Sequence, residues 1–129
     1  RIAYTKKFTK ARYFHHTCGS VYSLIPHLID AGVDILNPIQ PGARDMEPEM
    51  LKKAYGNQLT FWGGIDTQHI LPYGTKEDVK GEVWRILDAM GAERGGYVLA
   101  PAHNIQPDVP SENIIALFEA GKEYFLRRV

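Results

Sequence analysis

A histidine and a cysteine separated by one residue stand out among the side chains that could do chemistry. His16 and Cys18 close a short apolar run, and alternate residues of an extended segment point to the same side. An imidazole nitrogen and a thiolate on one side can bind a single zinc ion. A catalytic zinc takes three protein ligands and keeps one position open, so a third ligand must come from another strand. His103, which follows a later apolar run, is the best candidate.

The same three residues also have an interpretation without a metal. Free cysteine often packs as a small apolar residue, and most histidines act only as hydrogen-bonding groups. A histidine at the position of His103 can serve as an acid, a base or a hydrogen-bond donor. The spacing alone leaves these alternatives open. Two other histidines, His27 and His69, are predicted to be solvent-exposed, on a helix and in a loop.

Polar residues and glycines follow two further apolar runs. Asn37 and Gln40 offer amide donors and acceptors, although proline-bracketed polar residues are also ordinary loop residues. Paired glycines at 63 and 64 allow the backbone to approach a ligand, but their spacing fits no phosphate-binding loop. Asp66 can orient a histidine or a metal-bound water, or else cap a turn. We therefore predict catalytic roles for His103 and Asp66, and substrate contacts for Asn37, Gln40, Gly63, Gly64 and Asn104.

Four apolar runs must position these residues, and each is followed by a loop and then a helical pattern. The runs are short and rich in β-branched or aromatic residues, which is typical of buried parallel strands. They span residues 11–16, 34–39, 59–65 and 96–101. Function in such folds lies at the carboxyl ends of the strands, so we expect Cys18, Asn37, Gly64 and His103 to meet there. Two architectures fit: a small open α/β sheet, or half of a (β/α)8 barrel, which takes about 250 residues when complete.

The helices between these runs carry recognisable ends. The first is predicted with Ser23 as N-cap and Gly32 as its stop. The second is predicted to start at Glu47-Pro48, with Pro48 as its first helical residue, and to stop at Gly56. Thr75 and Asp78 form a predicted capping box for the third helix. The last helix follows Ser111 and is predicted to bury Ile114, Leu117, Phe118 and Phe125.

The composition is that of one globular domain covering residues 1–129. Fifteen basic side chains balance 15 acidic ones, which argues against nucleic acid or an anionic membrane as the partner. A single cysteine cannot form an internal disulfide, and the sequence contains neither a signal peptide nor a stretch of about 18 apolar residues. We therefore predict a cytoplasmic protein that binds a small molecule or another protein. Because the chain begins at Arg1, we expect it to be a fragment of a longer protein.

Four segments together form a distinctive set: HTCGS at 16–20, AGVDILNP at 31–38, FWGGID at 61–66 and PAHNIQPD at 101–108. On these segments, which extend over nearly the whole chain, the sequence resembles the C-terminal half of the uroporphyrinogen decarboxylase family. That family includes corrinoid-dependent methyltransferases. The resemblance implies the α/β fold of a (β/α)8 barrel, with the last four βα units in this chain and an N-terminal half elsewhere.

The resemblance also implies two chemistries. In the methyltransferases a His-x-Cys pair and a later cysteine bind zinc, which makes a thiol nucleophilic toward a methylcorrinoid. His16 and Cys18 match that pair, and His103 stands where the later cysteine is expected. In the decarboxylases no metal or cofactor is used, and the arginine and aspartate that hold the porphyrinogen lie in the N-terminal half. His103 matches the histidine that faces the substrate in those enzymes.

We therefore expect zinc-dependent methyl transfer from a methylcorrinoid to a thiol, with zinc on His16, Cys18 and His103 and a corrinoid protein as partner. Cofactor-free decarboxylation of uroporphyrinogen is the first alternative, and a non-catalytic half-barrel that self-associates is the second. The isolated chain is expected to be inactive and not to be a stable monomer, because open sheet edges and an uncovered interior need the missing half or a second copy. The side chains expected to face that interior are Phe14, Leu36, Phe61, Trp62 and, in part, Leu99.

Overall fold

Four parallel strands lie side by side in chain order, each followed by helix. A computed structural model describes residues 1–127. The strands are β1 (Phe14–His16), β2 (Ile35–Ile39), β3 (Thr60–Gly63) and β4 (Tyr97–Val98). The helices are α1 (Ile2–Thr5), α2 (Ile25–Ala31), α3 (Pro48–Tyr55), α4 (Ile70–Tyr73), α5 (Lys76–Ala89) and α6 (Ser111–Leu126), with 3-10 turns at Tyr22–Leu24 and Ala92–Arg94. This confirms the predicted α/β order and the arrangement of half a (β/α)8 barrel, with strands shorter than the apolar runs.

Most helix ends agree with the sequence analysis. The backbone N–H of Asp78 donates to Thr75 Oγ1 at 3.2 Å, and the Thr75 N–H donates back to Asp78 Oδ2 at 2.8 Å, which confirms the capping box. Gly32 ends α2 with φ 98°, a left-handed conformation that favours glycine. The predicted N-cap at Ser23 is wrong. Ser23 lies inside the 3-10 turn that precedes α2, so Leu24 occupies the cap position instead.

The two faces of the sheet are chemically different. Leu36 and Phe61 are fully buried on the side that the helices cover, and Leu99 packs against Gly121 of α6. The expectation that these three side chains face the barrel interior is therefore wrong, because successive side chains of a strand alternate between faces. Phe14 and Trp62 take the opposite, concave face, as predicted. Their rings meet edge to face at 5.3 Å, and Phe14 remains 43% exposed.

Helix α6 packs through small residues and not through the predicted phenylalanines. Leu117 is buried as predicted, but Phe118 and Phe125 are 58% and 44% exposed. The buried face is completed by Ala120 and Gly121, which let the helix approach its neighbours closely. A methyl group at Gly121 would lie 2.6 Å from Leu99, and the remaining predicted residue, Ile114, is only half-buried.

Asn113 is the buried polar anchor at the start of α6. Its side-chain amide is 2% exposed and donates to the carbonyls of Leu71 at 2.9 Å and Gly74 at 2.8 Å. These bonds tie α6 to α4 and to Gly74, the residue that directly follows α4. Within residues 1–127, none of the helices combines the length and hydropathy required to cross a membrane.

Candidate functional site

Three candidate metal ligands converge at the carboxyl ends of β1 and β4. The ligand atoms of His16, Cys18 and His103 all lie within 4.8 Å of one another, and all three residues are exposed. Cys18 Sγ lies 3.3 Å from His16 Nε2, and the two imidazole rings face each other edge to face with centroids 6.2 Å apart. Residues from different strands therefore meet as the parallel register requires.

This donor set fits zinc. Bond lengths of about 2.0–2.1 Å to nitrogen and 2.3 Å to sulfur place tetrahedral ligand atoms about 3.4–3.6 Å apart. The pair of His16 Nε2 and Cys18 Sγ already has nearly that separation, and a shift of about 1 Å would bring His103 to it. Because all three side chains are exposed, such a shift disturbs no packed core. Two imidazoles and a thiolate leave a fourth position open, as in a catalytic zinc site.

Asn37 orients the first of these ligands. Its side-chain oxygen lies 2.7 Å from His16 Nδ1, and an amide oxygen only accepts, so Nδ1 carries the proton. The other ring nitrogen, Nε2, then carries no proton, and its lone pair is directed toward Cys18 and is free to bind a metal. This is the arrangement in which a neighbouring acceptor fixes the tautomer and the ring orientation of a metal-binding histidine. The structure thus brings Asn37 into the site as a positioning residue as well as a wall of the cleft.

Gln40 supports the loop that carries the cysteine. Its side-chain oxygen accepts a hydrogen bond from the Gly19 backbone at 3.1 Å. Close by, the Ser20 hydroxyl donates to the Arg44 carbonyl at 2.7 Å. Both bonds connect the β1 loop to the loop after β2. The loop conformation at Cys18 is therefore set by residues about 20 positions further along the chain.

A cleft of about 310 Å³ opens beside the three ligands. His16 and Asn37 form one wall, Trp62 of β3 another, and the segment from Ala100 to Ile105, which includes His103 and Asn104, the third. Trp62 was not among the predicted site residues. Trp62 was expected only to face the barrel interior, and in the structure it alternates with buried Phe61 along β3 and so lies on the concave face beside the cleft.

Asp66 takes the turn-capping role that the sequence left open. Its carboxylate accepts from the backbone N–H groups of Gln68 and His69 and lies 3.0 Å from His69 Nδ1. Partial burial raises the pKa of the Asp66 carboxyl, but these hydrogen bonds outweigh burial and hold the pKa below its usual value. The histidine that Asp66 orients is therefore His69, which is exposed as predicted, as is His27. A catalytic role for Asp66 stays a prediction.

The two glycines after β3 meet neighbouring protein atoms. Gly63 and Gly64 have φ of 108° and 111°, which favours glycine. An added methyl group at Gly63 would lie 3.1 Å from Pro38, and one at Gly64 would lie 3.1 Å from Ile39 and 3.2 Å from Ile86. Their close approach is thus to β2 and α5. Substrate contacts by Gly63, Gly64, Gln40 and Asn104 stay predictions.

Comparisons with known proteins identify relatives of two kinds. A sequence profile of the family described as Uroporphyrinogen decarboxylase (URO-D) matches residues 2–124. The methylcobamide:CoM methyltransferase MtaA of Methanosarcina barkeri is 31% identical over 110 residues, which are 85% of this chain and 30% of that protein. The uroporphyrinogen decarboxylase of Danio rerio is 31% identical over 75 residues, 58% of this chain and 19% of that protein.

A solved structure shows the same fold. A methyltransferase from Methanosarcina mazei superposes with a TM-score of 0.75 over 96% of this chain, at 23% sequence identity. The match covers 34% of that chain. The present chain thus spans about a third of the length of these methyltransferases.

Proposed function

Because the chain belongs to the uroporphyrinogen decarboxylase family, we propose that it supplies the zinc-binding residues of a methyltransferase acting from a methylcorrinoid to a thiol. The convergence of His16, Cys18 and His103 within 4.8 Å carries this proposal. A cofactor-free decarboxylase has no need for a thiol beside two imidazoles, whereas a metal site does. The name of the Methanosarcina barkeri relative indicates the class of donor and acceptor, a methylcobamide and the thiol CoM.

Each residue of the cluster has a distinct task in this proposal. His16 binds through Nε2, Cys18 through its sulfur and His103 through a ring nitrogen, while Asn37 keeps the His16 tautomer correct. Zinc held there acts as a Lewis acid and lowers the pKa of the acceptor thiol, so that the thiol is a nucleophilic thiolate at neutral pH. The cleft of about 310 Å³ beside the ligands is large enough for a small thiol. In this proposal a corrinoid protein of the cytoplasm delivers the methyl group to that cleft.

The proposed reaction is one nucleophilic displacement. The acceptor thiol releases its proton to the solvent, and its sulfur forms a new bond to the methyl carbon. The cobalt–carbon bond breaks, and its electron pair remains on cobalt. The methyl group thus moves to sulfur without an external oxidant or reductant.

Decarboxylation of uroporphyrinogen is the second candidate. The decarboxylases of Danio rerio and Aliivibrio salmonicida match this chain at 31% and 34% identity, and His103 lines the cleft. In that function His103 would donate a hydrogen bond to the porphyrinogen, and the remainder of the barrel would supply the charged groups that hold it. His16 and Cys18 would then have only structural roles.

Metal binding separates the two candidates. We expect Co²⁺, used as a spectroscopic substitute for Zn²⁺, to give a thiolate-to-metal charge-transfer band with this chain and to be displaced by Zn²⁺. Cys18→Ala should remove the band while circular dichroism stays unchanged, because Cys18 is exposed. His27→Ala, at an exposed histidine outside the cluster, is the matched control. Equal zinc affinity in the wild type and Cys18→Ala would refute the site and favour decarboxylation.

A further inference from the structure

Cys18, His16 and Asn37 form a connected row of three side chains at the end of β1. Cys18 Sγ lies 3.3 Å from His16 Nε2, and Asn37 Oδ1 lies 2.7 Å from His16 Nδ1. Because Nδ1 carries the proton, Nε2 can only accept, and the Cys18 S–H is its donor in the metal-free chain. A thiol, an imidazole that accepts its proton and a third group that orients the imidazole are the parts of an activated cysteine nucleophile.

Backbone hydrogen bonds hold this row in place. The Thr17 N–H donates to the Asn37 carbonyl at 2.7 Å, so Asn37 fixes the segment as well as the neighbouring imidazole. On the other side of the sulfur, the Gly19 N–H donates to the Gln40 side chain at 3.1 Å. The thiol and the imidazole are therefore kept beside each other by bonds on both sides of the cysteine.

The sulfur is also open to an incoming molecule. Cys18 is exposed, and a methyl group added at the adjacent Gly19 would have no atom within 4 Å. His16, the hydrogen-bond partner of the sulfur, lines the cleft of about 310 Å³ in which the acceptor thiol is proposed to bind. A disulfide of a similarly small thiol therefore has room to approach the sulfur.

We propose that Cys18 of the metal-free chain is a reactive thiol that exchanges with the disulfide of a small thiol. Its proton passes to His16 Nε2 while Sγ forms a bond to one sulfur of the disulfide. The S–S bond of the disulfide breaks, its electron pair stays on the departing sulfur, and that sulfur takes the proton from His16. Cys18 is thereby oxidised to a mixed disulfide, and one half of the small disulfide is reduced to a thiol.

The mixed disulfide would control metal loading, a consequence that rests on the proposed function. A sulfur in an S–S bond is no longer a thiolate, which is the form that binds zinc. Oxidation of the small thiol would therefore block the site, and the reverse exchange with the reduced thiol would restore it. Bound zinc should in turn protect the sulfur from the disulfide.

Dithiodipyridine, an aromatic disulfide that releases an absorbing product on exchange, measures the reactivity of Cys18 in the presence of a metal chelator. We expect His16→Ala to lower the second-order rate constant about tenfold or more, because the sulfur loses the group that takes its proton. Asn37→Ala, which frees the imidazole ring, should lower it about threefold. His27→Ala, at an exposed histidine outside the cluster, should leave it unchanged. Equal rates in His16→Ala and the wild type would overturn the proposal.

A relocated cysteine gives the rate of an exposed thiol with no imidazole beside it. The double variant Cys18→Ala, Asn57→Cys moves the single thiol to an exposed position at the opposite end of the sheet. We expect the wild type to react about tenfold faster than this variant. Equal rates would overturn the proposal even if His16→Ala failed to fold.

Protection by zinc separates this proposal from the proposed function. Hydroxyethyl disulfide should add one hydroxyethylthio group to Cys18 in the metal-free chain, as followed by mass spectrometry of the intact protein. Saturating Zn²⁺ should slow this addition about tenfold or more, because the thiolate is then bound to the metal. Fast addition without protection would support the reactive thiol and refute the zinc site. Slow addition to a chain that still binds zinc would refute the reactive thiol and leave the zinc site intact.

Discussion

Removal of the Asn37 side-chain oxygen should weaken metal binding although Asn37 is not itself a ligand. The oxygen lies 2.7 Å from His16 Nδ1 and holds both the tautomer and the ring of an exposed histidine. A neutral hydrogen bond contributes about 0.5–1.5 kcal/mol, and one to a charged group about 1.5–3 kcal/mol. Because the imidazole gains positive character when it binds a metal, the bond strengthens in the bound state. We therefore expect Asn37→Ala to lower zinc affinity about 10–100-fold, or roughly 1.4–2.8 kcal/mol.

Competition with a chromophoric zinc chelator measures this loss. Asn37→Asp keeps an oxygen acceptor and should retain the wild-type affinity or exceed it, whereas Asn57→Ala, at an exposed asparagine on the opposite end of the sheet, should have no effect. The expected order of affinity is thus Asp, then wild type, then Ala at position 37. If Asn37→Ala bound zinc as tightly as the wild type, the orienting role of Asn37 would be refuted. A loss of equal size in Asn37→Asp would refute it as well.

Three further predictions concern stability. Asn113→Ala should lower the free energy of unfolding by about 2–3 kcal/mol, because the carbonyls of Leu71 and Gly74 lose their hydrogen-bond donor. Asn57→Ala, at an exposed position, should change the free energy of unfolding by no more than about 0.5 kcal/mol. Equal denaturation midpoints for the two variants would contradict this prediction. The hydrogen bond from Lys6 lowers the pKa of Asp34 in the folded protein. Ionised Asp34 therefore stabilises the fold above pH 3.8, the pKa of this carboxyl in the unfolded chain, and this stabilisation is lost as the pH falls through the lower pKa of the folded state. Asp34→Asn should therefore destabilise the protein by about 1 kcal/mol at pH 7 and flatten the acid limb of a stability–pH curve, and an unchanged limb would count against the Lys6 pairing. Gly64→Ala should destabilise the protein by about 2 kcal/mol or more, because the left-handed backbone at Gly64 and its close neighbours leave no room for a methyl group. Gly81→Ala, on α5 with no atoms nearby, should instead stabilise the protein by about 0.5–1 kcal/mol. Thermal unfolding measures both, and an unchanged stability in Gly64→Ala would contradict the packing argument.

Local sequence patterns were sufficient for the order of the elements. The capping box at Thr75 and Asp78 and the left-handed Gly32 depend on contacts within a few residues, so their positions could be read directly. The parallel order of the strands followed from their alternation with helices. The N-cap of α2 could not be predicted at the right residue, because the chain forms a 3-10 turn over Tyr22–Leu24 before the helix begins. Local sequence rules hardly distinguish a serine in such a turn from a serine that caps a helix.

Which face of an element is buried depended on tertiary packing. Phe118 and Phe125 are as apolar as Leu117, yet Ala120 and Gly121 permit the closer approach to α5 and to Leu99, so the larger side chains lie outside. The assignment of Leu36 and Phe61 to the barrel interior failed for a related reason. Alternation along a strand shows which residues share a face, but only the position of the helices decides which face they cover.

The candidate site divides in the same way. Residue types and strand-end positions alone singled out His16, Cys18 and His103 as a possible set, because parallel strands bring their carboxyl ends to one edge. Only the folded chain shows that their ligand atoms lie within 4.8 Å, that Asn37 fixes the His16 tautomer, and that Asp66 is bonded to His69. Hydrogen bonds between residues 21 positions apart depend on strand register to within one residue, and a one-residue shift would turn Asn37 to the other face of the sheet. The sequence by itself therefore determined which chemical groups reach this edge, and the tertiary structure decided which of them touch.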